Sequence, residues 1–317
     1  MSVEKPTGVS EAAVPPCREN ICAVVVTYHP DAGLGLRLER VAAQVAVVVV
    51  VDNSADDAAM LMLRAVADRV GAHLVLNAEN LGVAAAVNRG TRWAVDHGCG
   101  WVLTLDQDSV PSPNLVDGLV NAFHACDFRN RIGAIGSNWV NATTSTVNLG
   151  ASRFRGRTWR EWKTVINSGT LFSLSAYAMA GPFREDFFID SVDHEFCLRL
   201  RANGYRVIVT REALMVHPLG DYRHVRLLGR GVAHSDHPPL RKYFQTRNRL
   251  VLISEYALKE PLWAAGQARR MIQDSVLMLC CGRSRRRKIA AMALGALHFL
   301  RGRTGPLNAS ELRRINS

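Results

Sequence analysis

Two carboxylates one residue apart end an apolar run: Trp101-Val102-Leu103-Thr104-Leu105-Asp106-Gln107-Asp108. Alternate side chains of an extended chain point the same way. Asp106 and Asp108 are therefore expected about 6–7 Å apart at their Cα atoms, close enough to share one cation. Oxygen donors of this kind suit Mg²⁺ or Mn²⁺, whose remaining positions fill with water and phosphate oxygens. The same spacing also suits a strand that ends in an acidic turn, and the pattern alone leaves both open. A second acidic pair, Asp193 and Glu195, stands at the start of a helical stretch. There a carboxylate either complements the positive end of the helix dipole or serves as a catalytic base.

The elements around these residues predict how they are positioned. Ile21-Cys22-Ala23-Val24-Val25-Val26 and Val45-Ala46-Val47-Val48-Val49-Val50-Val51 are apolar runs ending in Thr27-Tyr28-His29-Pro30 and Asp52-Asn53-Ser54, with a helical repeat (Leu34, Leu38, Val41) between them. A helix over residues 61–70, a short strand over 73–76 and an Ala-rich helix over 83–97 lead to the strand that carries Asp106. Strands apolar on both faces belong inside a covered parallel sheet, and in such sheets ligands sit beyond the carboxyl ends. This alternation is that of a doubly wound nucleotide-binding half, although neither GxGxxG nor GxxxxGK[ST] follows any strand. Residues 165–172 predict a strand containing small residues, 207–209 and 214–216 two further strands, and 217–239 a loop. Residues 1–20 predict a disordered leader. From 240 onward the periodicity is helical, with helices over 262–281 and 287–300.

Composition bounds the function classes. Apolar residues at 48% and charged residues at 21% describe an ordered globular chain with a core, not a disordered one. Lys and Arg exceed Asp and Glu by 39 to 28, so phosphorylated ligands, anionic lipid and nucleic acid are all admissible partners. Seven cysteines without a Cys-X-X-Cys pair predict reduced thiols in a cytoplasmic protein. No signal peptide and no apolar run of spanning length is seen. Arg283, Arg285, Arg286, Arg287 and Lys288 precede the apolar residues 289–300. That pattern predicts peripheral contact with an anionic membrane surface, or else a helical hairpin with a solvated basic turn. Aromatic residues are not interleaved with the arginines, so nucleic acid is not the expected partner.

Seven segments occur in an order and spacing that resemble the family 2 glycosyltransferases, and within them the bacterial dTDP-L-rhamnose-dependent rhamnosyltransferases. They are Val26-Thr27-Tyr28-His29-Pro30, Val51-Asp52-Asn53-Ser54, Asn80-Leu81-Gly82 with Asn88-Arg89-Gly90, Thr104-Leu105-Asp106-Gln107-Asp108-Ser109, Phe188-Ile189-Asp190-Ser191-Val192-Asp193-His194-Glu195-Phe196, His217-Pro218, and Tyr243-Phe244-Gln245-Thr246-Arg247-Asn248-Arg249. The resemblance implies a GT-A fold: an α/β, Rossmann-like, mostly parallel sheet flanked by helices. The catalytic domain would cover 21–239, with a nucleotide half over 21–110 and an acceptor half over 111–239. A helical C-terminal appendage would follow over 240–317.

It further implies that Thr27, Tyr28, Asp52, Asn80, Asn88 and Asp106 bind the nucleotide-sugar. Asp106, Asp108 and His217 would hold Mn²⁺ or Mg²⁺, and Asp193 would be the catalytic base of an inverting transfer. Arg247 and Arg249 match positions placed near the acceptor or its diphosphate, where a guanidinium suits a pair of phosphate oxygens; helix-surface cations are the other reading. The expected activity moves L-rhamnose from dTDP-L-rhamnose to a hydroxyl of a saccharide or lipid-linked saccharide acceptor in cell-surface polysaccharide synthesis. The alternatives are another donor, such as UDP-galactofuranose, and a non-catalytic basic module for nucleotide or RNA.

Overall fold

In the computed structural model, residues 14–218, 222–227, 230–282 and 284–316 are described, without side chains for 222–227, 230–235, 281 and 316. The first half alternates strand and helix: β1 (Ile21–Thr27), α1 (Leu34–Ala42), β2 (Val47–Asp52), α2 (Asp57–Val70), β3 (His73–Leu76), α3 (Gly82–Asp96) and β4 (Trp101–Asp106). Then come β5 (Val110–Pro111), α4 (Leu115–His124), β6 (Ile132–Asn141), β7 (Trp159–Glu161), β8 (Thr170–Ser173), α5 (Leu174–Ala180), α6 (Val192–Ala202) and β9 (Arg206–His217). A hairpin of β10 (Tyr222–Leu227) and β11 (Arg230–Ser235) precedes the helices α7 (Pro239–Tyr256), α8 (Pro261–Cys281), α9 (Arg285–Leu300) and α10 (Ala309–Asn316).

The large sheet has the order β3-β2-β1-β4-β8-β6-β9-β5, with β7 on β9. Strands β3, β2, β1 and β4 are mutually parallel. β1 shows why both sheet faces are covered. Ile21, Ala23 and Val25 enter one core with residues of α1, α2 and α4, while Cys22, Val24 and Val26 enter another with residues of α3 and α6. That is the two-residue period of a strand with helices on each side. Gly90 lets α3 approach closely, because a Cβ there would stand 2.4 Å from Val24 Cγ1.

The topology then delivers the polar loops to one edge. Thr27 lies opposite Asp52 and Val26 opposite Asp106, so β1, β2 and β4 end together. β8 runs antiparallel to β4, with Thr170 against Thr104, so residues 166–168 just before it sit beside Asp106. β5 pairs Val110 with Val216, which brings the end of β9 alongside the segment following Asp108. Tyr243 and Phe244 of α7, Ala291 of α9 and Ile315 of α10 form a third core, against which Phe188 and Ile189 pack. The C-terminal helices are thus packed against the loop that precedes α6.

Several elements differ from expectation. The strand expected at 165 begins at Thr170, because Val165 to Gly169 bend into the site. The two strands expected over 207–216 are one, bulged against β6. The supposed loop after His217 contains the β10–β11 hairpin, paired from Tyr222/Ser235 to Leu227/Arg230. Residues 1–13 of the expected leader lie outside the described residues, but order begins before Ile21: the Trp101 indole donates to the Val14 carbonyl at 2.8 Å. Among the described residues no helix is long and apolar enough to cross a membrane.

Candidate active site

A cavity of about 500 Å³ opens where these strand ends meet, and its lining includes Tyr28, Asn80, Asp106, Asp108, Asp193 and His217. They arrive from five segments: Asp106 and Asp108 from the end of β4 and its turn, Tyr28 from the loop after β1, Asn80 from the loop before α3, Asp193 from the start of α6 and His217 from the end of β9. Asp106 is half-buried, Asp108 exposed and His217 buried, and their ligand-type atoms all lie within 4.8 Å of one another. His217 is steered by Ser109, whose Oγ stands 2.8 Å from Nδ1, while Ser168 donates to that same Oγ at 2.7 Å. With Nδ1 engaged, Nε2 is the nitrogen left to bind a ligand, and a hydroxyl fixing one ring nitrogen is a frequent support for a metal-binding histidine.

Burial pushes the Asp106 carboxyl well above its usual range, His217 pulls it back, and the Asp108 charge raises it further. A carboxylate desolvated beside another carboxylate lacks compensating charge, and a divalent cation supplies it. The donor set of two carboxylates and an imidazole therefore fits Mn²⁺ or Mg²⁺, the nitrogen favouring Mn²⁺.

Asn167 joins this cluster to Asp193. Its backbone N–H donates to Asp193 Oδ2 at 3.0 Å, and its side-chain amide donates to Asp106 Oδ1 at 3.3 Å. Asp193 sits in the first turn of α6 and also accepts from the His194 N–H at 2.8 Å. Glu195, the other acid of that turn, faces away: it is buried and held by Arg199 at 2.8 Å. Of the pair, Asp193 alone faces the cavity.

The segment that presents Asp193 is strained. Phe188, Asp190 and Ser191 have φ near +65°, which costs ~1–3 kcal/mol for each non-glycine residue unless the surroundings enforce it. Here α7 enforces it. Asn248 donates to the carbonyls of Phe187, Ile189 and Asp190 at 2.9–3.0 Å, and Arg247 to those of Asp186 and Phe187. Arg247, expected near an acceptor phosphate, is instead fully buried, and bonds to Gly305 and Asn248 occupy it further. Arg249 does line the cavity, paired with Asp274 at 3.0 Å.

Two nucleotide-binding expectations need the same correction. Asp52 is buried behind the wall, accepting from the Thr27 and Ser54 hydroxyls at 2.7 and 2.8 Å; its neighbour Asn53 lines the cavity in its place. Asn88 is also fully buried and faces no cavity: its amide binds the Phe183 carbonyl and N–H and the Glu185 carboxylate. The polar atoms of both are consumed by the protein itself. Thr27, Tyr28 and Asn80 lie in the lining. Gln107, between the two aspartates, pairs with both the N–H and the carbonyl of Tyr28 at 2.7 and 3.1 Å and so ties the first loop to the fourth strand.

Other lining residues carried no prior role. Asn167 of the lining, and Ser168, which stands outside it and donates to Ser109, signalled themselves only as small residues in an apolar stretch. Asp190, pushed up by burial and opposed by Arg241, and Gln245 of α7 had no separate signal.

The model of the glycosyl transferase family 2 matches residues 22–180. The chain is also 30% identical, over 247 residues, to the dTDP-rhamnosyl transferase RfbF of Shigella flexneri, covering 74% of this chain and 80% of that one. The chain belongs to glycosyl transferase family 2. Solved structures of the same fold include S. aureus TarS, with TM-score 0.53 and 15% identity over 84% of this chain, which spans 44% of that one. TarS 1-349 in complex with UDP-GlcNAc gives TM-score 0.51 and 14% identity, over 84% of this chain and 74% of that one. This family 2 chain is therefore a nucleotide-sugar glycosyltransferase of GT-A architecture, and the non-catalytic binding module is set aside.

Proposed function

We propose that this glycosyltransferase moves L-rhamnose from dTDP-L-rhamnose to a hydroxyl of a saccharide acceptor, with inversion at the anomeric carbon. One observation carries the proposal: Asp106 and Asp193, bridged by Asn167, face one cavity that also contains Asp108 and His217. The choice of donor follows the 30% identity to the rhamnosyl transferase.

Thr27, Tyr28, Asn53 and Asn80 would hold the nucleoside at the ends of the parallel strands. Asp106, Asp108 and His217 would hold Mn²⁺ or Mg²⁺; when bound, it supplies positive charge where the leaving diphosphate becomes negative. Asp193 accepts the proton of the attacking acceptor hydroxyl as the new bond forms and the bond to dTDP breaks. Attack on an oxocarbenium-like carbon from the face opposite the leaving group inverts it. Asn167 fixes the Asp193 carboxylate through its backbone N–H, and Arg249 stands at the rim for an acceptor phosphate.

A lipid-linked acceptor, and peripheral contact with the cytoplasmic face of a membrane, fit the outer surface of α8 and α9. Ile272, Val276 and Leu279 on α8 and Ile289 on α9 are exposed apolar residues beside the exposed Arg285 and Arg286. Lys288 of the same cluster is buried against Asp236, and Arg283 lies outside the described residues.

The test is nucleotide release from dTDP-L-rhamnose with Mn²⁺ or Mg²⁺, with and without a membrane lipid extract, against UDP-GlcNAc and UDP-galactofuranose. Release that is specific to dTDP-L-rhamnose and stimulated by the extract is expected. Preference for a UDP-sugar would replace the donor assignment.

A further inference from the structure

A second cavity, of about 800 Å³, adjoins the first and shares Ile166, His194, Trp263 and Gln267 with it. That volume is in the range of small-ligand sites, ~300–1,000 Å³. Its walls come mainly from the Asn/Thr/Arg-rich stretch between β6 and β8 and from α8, with His194 and Arg201 of α6 and residues of β6 and β9 completing them. Three tryptophans, Trp139, Trp162 and Trp263, line it. Aromatic faces in a pocket with polar groups suit the apolar C–H faces of a sugar ring, while the neighbouring donors reach its hydroxyls.

The charge of this cavity is lopsided. Arg153, Arg160, Lys163, Arg201 and Arg270 line it, against the single acid Glu161. Arg201 and Arg206 bind Glu161, and Lys163 binds Glu260. Arg153, Arg160 and Arg270 form no ion pair among the described residues. Arg160 lies over the Trp162 ring with its guanidinium carbon 4.7 Å from the centroid, and its Nε is buried with no hydrogen-bond partner. Its Nη1 donates to the Arg153 carbonyl at 2.8 Å, which holds the two arginines together on this wall, with no carboxylate to neutralise either among the described residues.

The geometry points to an anionic-saccharide subsite in this second cavity: a sugar carrying a phosphate or carboxylate, stacked on Trp162 and Trp263 and held by Arg153, Arg160 and Arg270. It rests on the transferase reading, since the shared wall at His194 is one residue from Asp193 and so gives an acceptor a direct path to the base. His194 Nδ1 lies 2.8 Å from the Thr164 hydroxyl, which fixes the ring at that junction.

The experiment titrates the full chain, with dTDP and Mn²⁺ already present, using N-acetylglucosamine 1-phosphate, glucuronic acid and neutral N-acetylglucosamine, read by calorimetry. Either anionic sugar should bind at least about tenfold more tightly than the neutral one, and the arm that binds tells phosphate from carboxylate recognition. Arg153→Ala combined with Arg270→Ala should weaken that binding about tenfold and leave dTDP binding unchanged, which also shows that the variant is folded. Trp162→Ala should weaken it as well. Equal affinity for the neutral sugar, an unaffected double variant, or no binding of either anion up to about 10 mM would overturn the subsite. Failure of dTDP itself to bind would count against the transferase reading instead, and is measured separately in the first titration.

Discussion

Two clusters of charged side chains, one on α7 and one at the ends of β4 and β9, are opposite in kind. Around Arg247 every donor has found a carbonyl, amide or hydroxyl, so the guanidinium is a rivet between α7 and the loop over residues 186–190. Around Asp106 the charges do not close: two carboxylates and an imidazole converge, burial raises the Asp106 carboxyl, and among the described residues no basic side chain pairs with any of the three. A satisfied cluster holds the fold, and an unsatisfied one awaits a ligand. The first also serves the second, because the Arg247–Asn248 clasp maintains the positive-φ turn that aims Asp193 into the cavity.

This contrast can be broken or sharpened by substitution. Asp193→Asn is expected to lower kcat by about 10²–10⁴-fold with dTDP affinity retained, as steady-state nucleotide release and a separate titration would measure. Undiminished turnover would remove Asp193 from the role of base. Arg247→Ala should act on stability instead, losing about 3 kcal/mol, or about 10²-fold in the folding equilibrium, by denaturant unfolding. A loss of nucleotide affinity at unchanged stability would transfer Arg247 from rivet to binding site.

Ser109→Ala frees the His217 ring and should weaken Mn²⁺ binding about 10–100-fold, as followed by metal titration. An unchanged metal affinity would separate His217 from the metal. Smallest is Arg249→Ala. Its partner Asp274 is half-exposed, so stability should move by less than about 1 kcal/mol while the acceptor KM rises about tenfold in initial-rate assays. An unaltered KM would leave Arg249 a surface cation.

The same contrast explains what could be read from the chain. β1, β2 and β4 are legible because their apolar runs are local and end in polar loops; Asp108, expected on the same extended strand as Asp106, instead stands in the turn after β4, which still brings it to Asp106 and His217. Helix-start position alone does not separate Asp193 from Glu195; the motif slot points to Asp193, and the fold gives the reason, since Arg199 takes the second acid and the cavity receives the first. Asp52, Asn88 and Arg247 occupy motif positions yet face inward. Their partners are the Thr27 hydroxyl, the Phe183 backbone and the Phe187 carbonyl, contacts made 25, 95 and 60 residues away, which no local pattern encodes. Asn167 was hidden for the converse reason: its role needs β8 to run antiparallel to β4, and an apolar run looks the same in either direction. The β10–β11 hairpin follows His217-Pro218 with scattered histidines and little alternation, so its sequence resembles a loop.

The central claim is that the open carboxylate cluster grips the donor diphosphate through a divalent cation. Calorimetric titration of dTDP into the full chain with Mn²⁺, after EDTA, and in Asp108→Ala tests it most directly. Affinity that falls at least about tenfold on chelation, with the variant already weak and indifferent to Mn²⁺, is the predicted result. Equal dTDP affinity with and without the metal, in the wild-type protein and the variant alike, would contradict it.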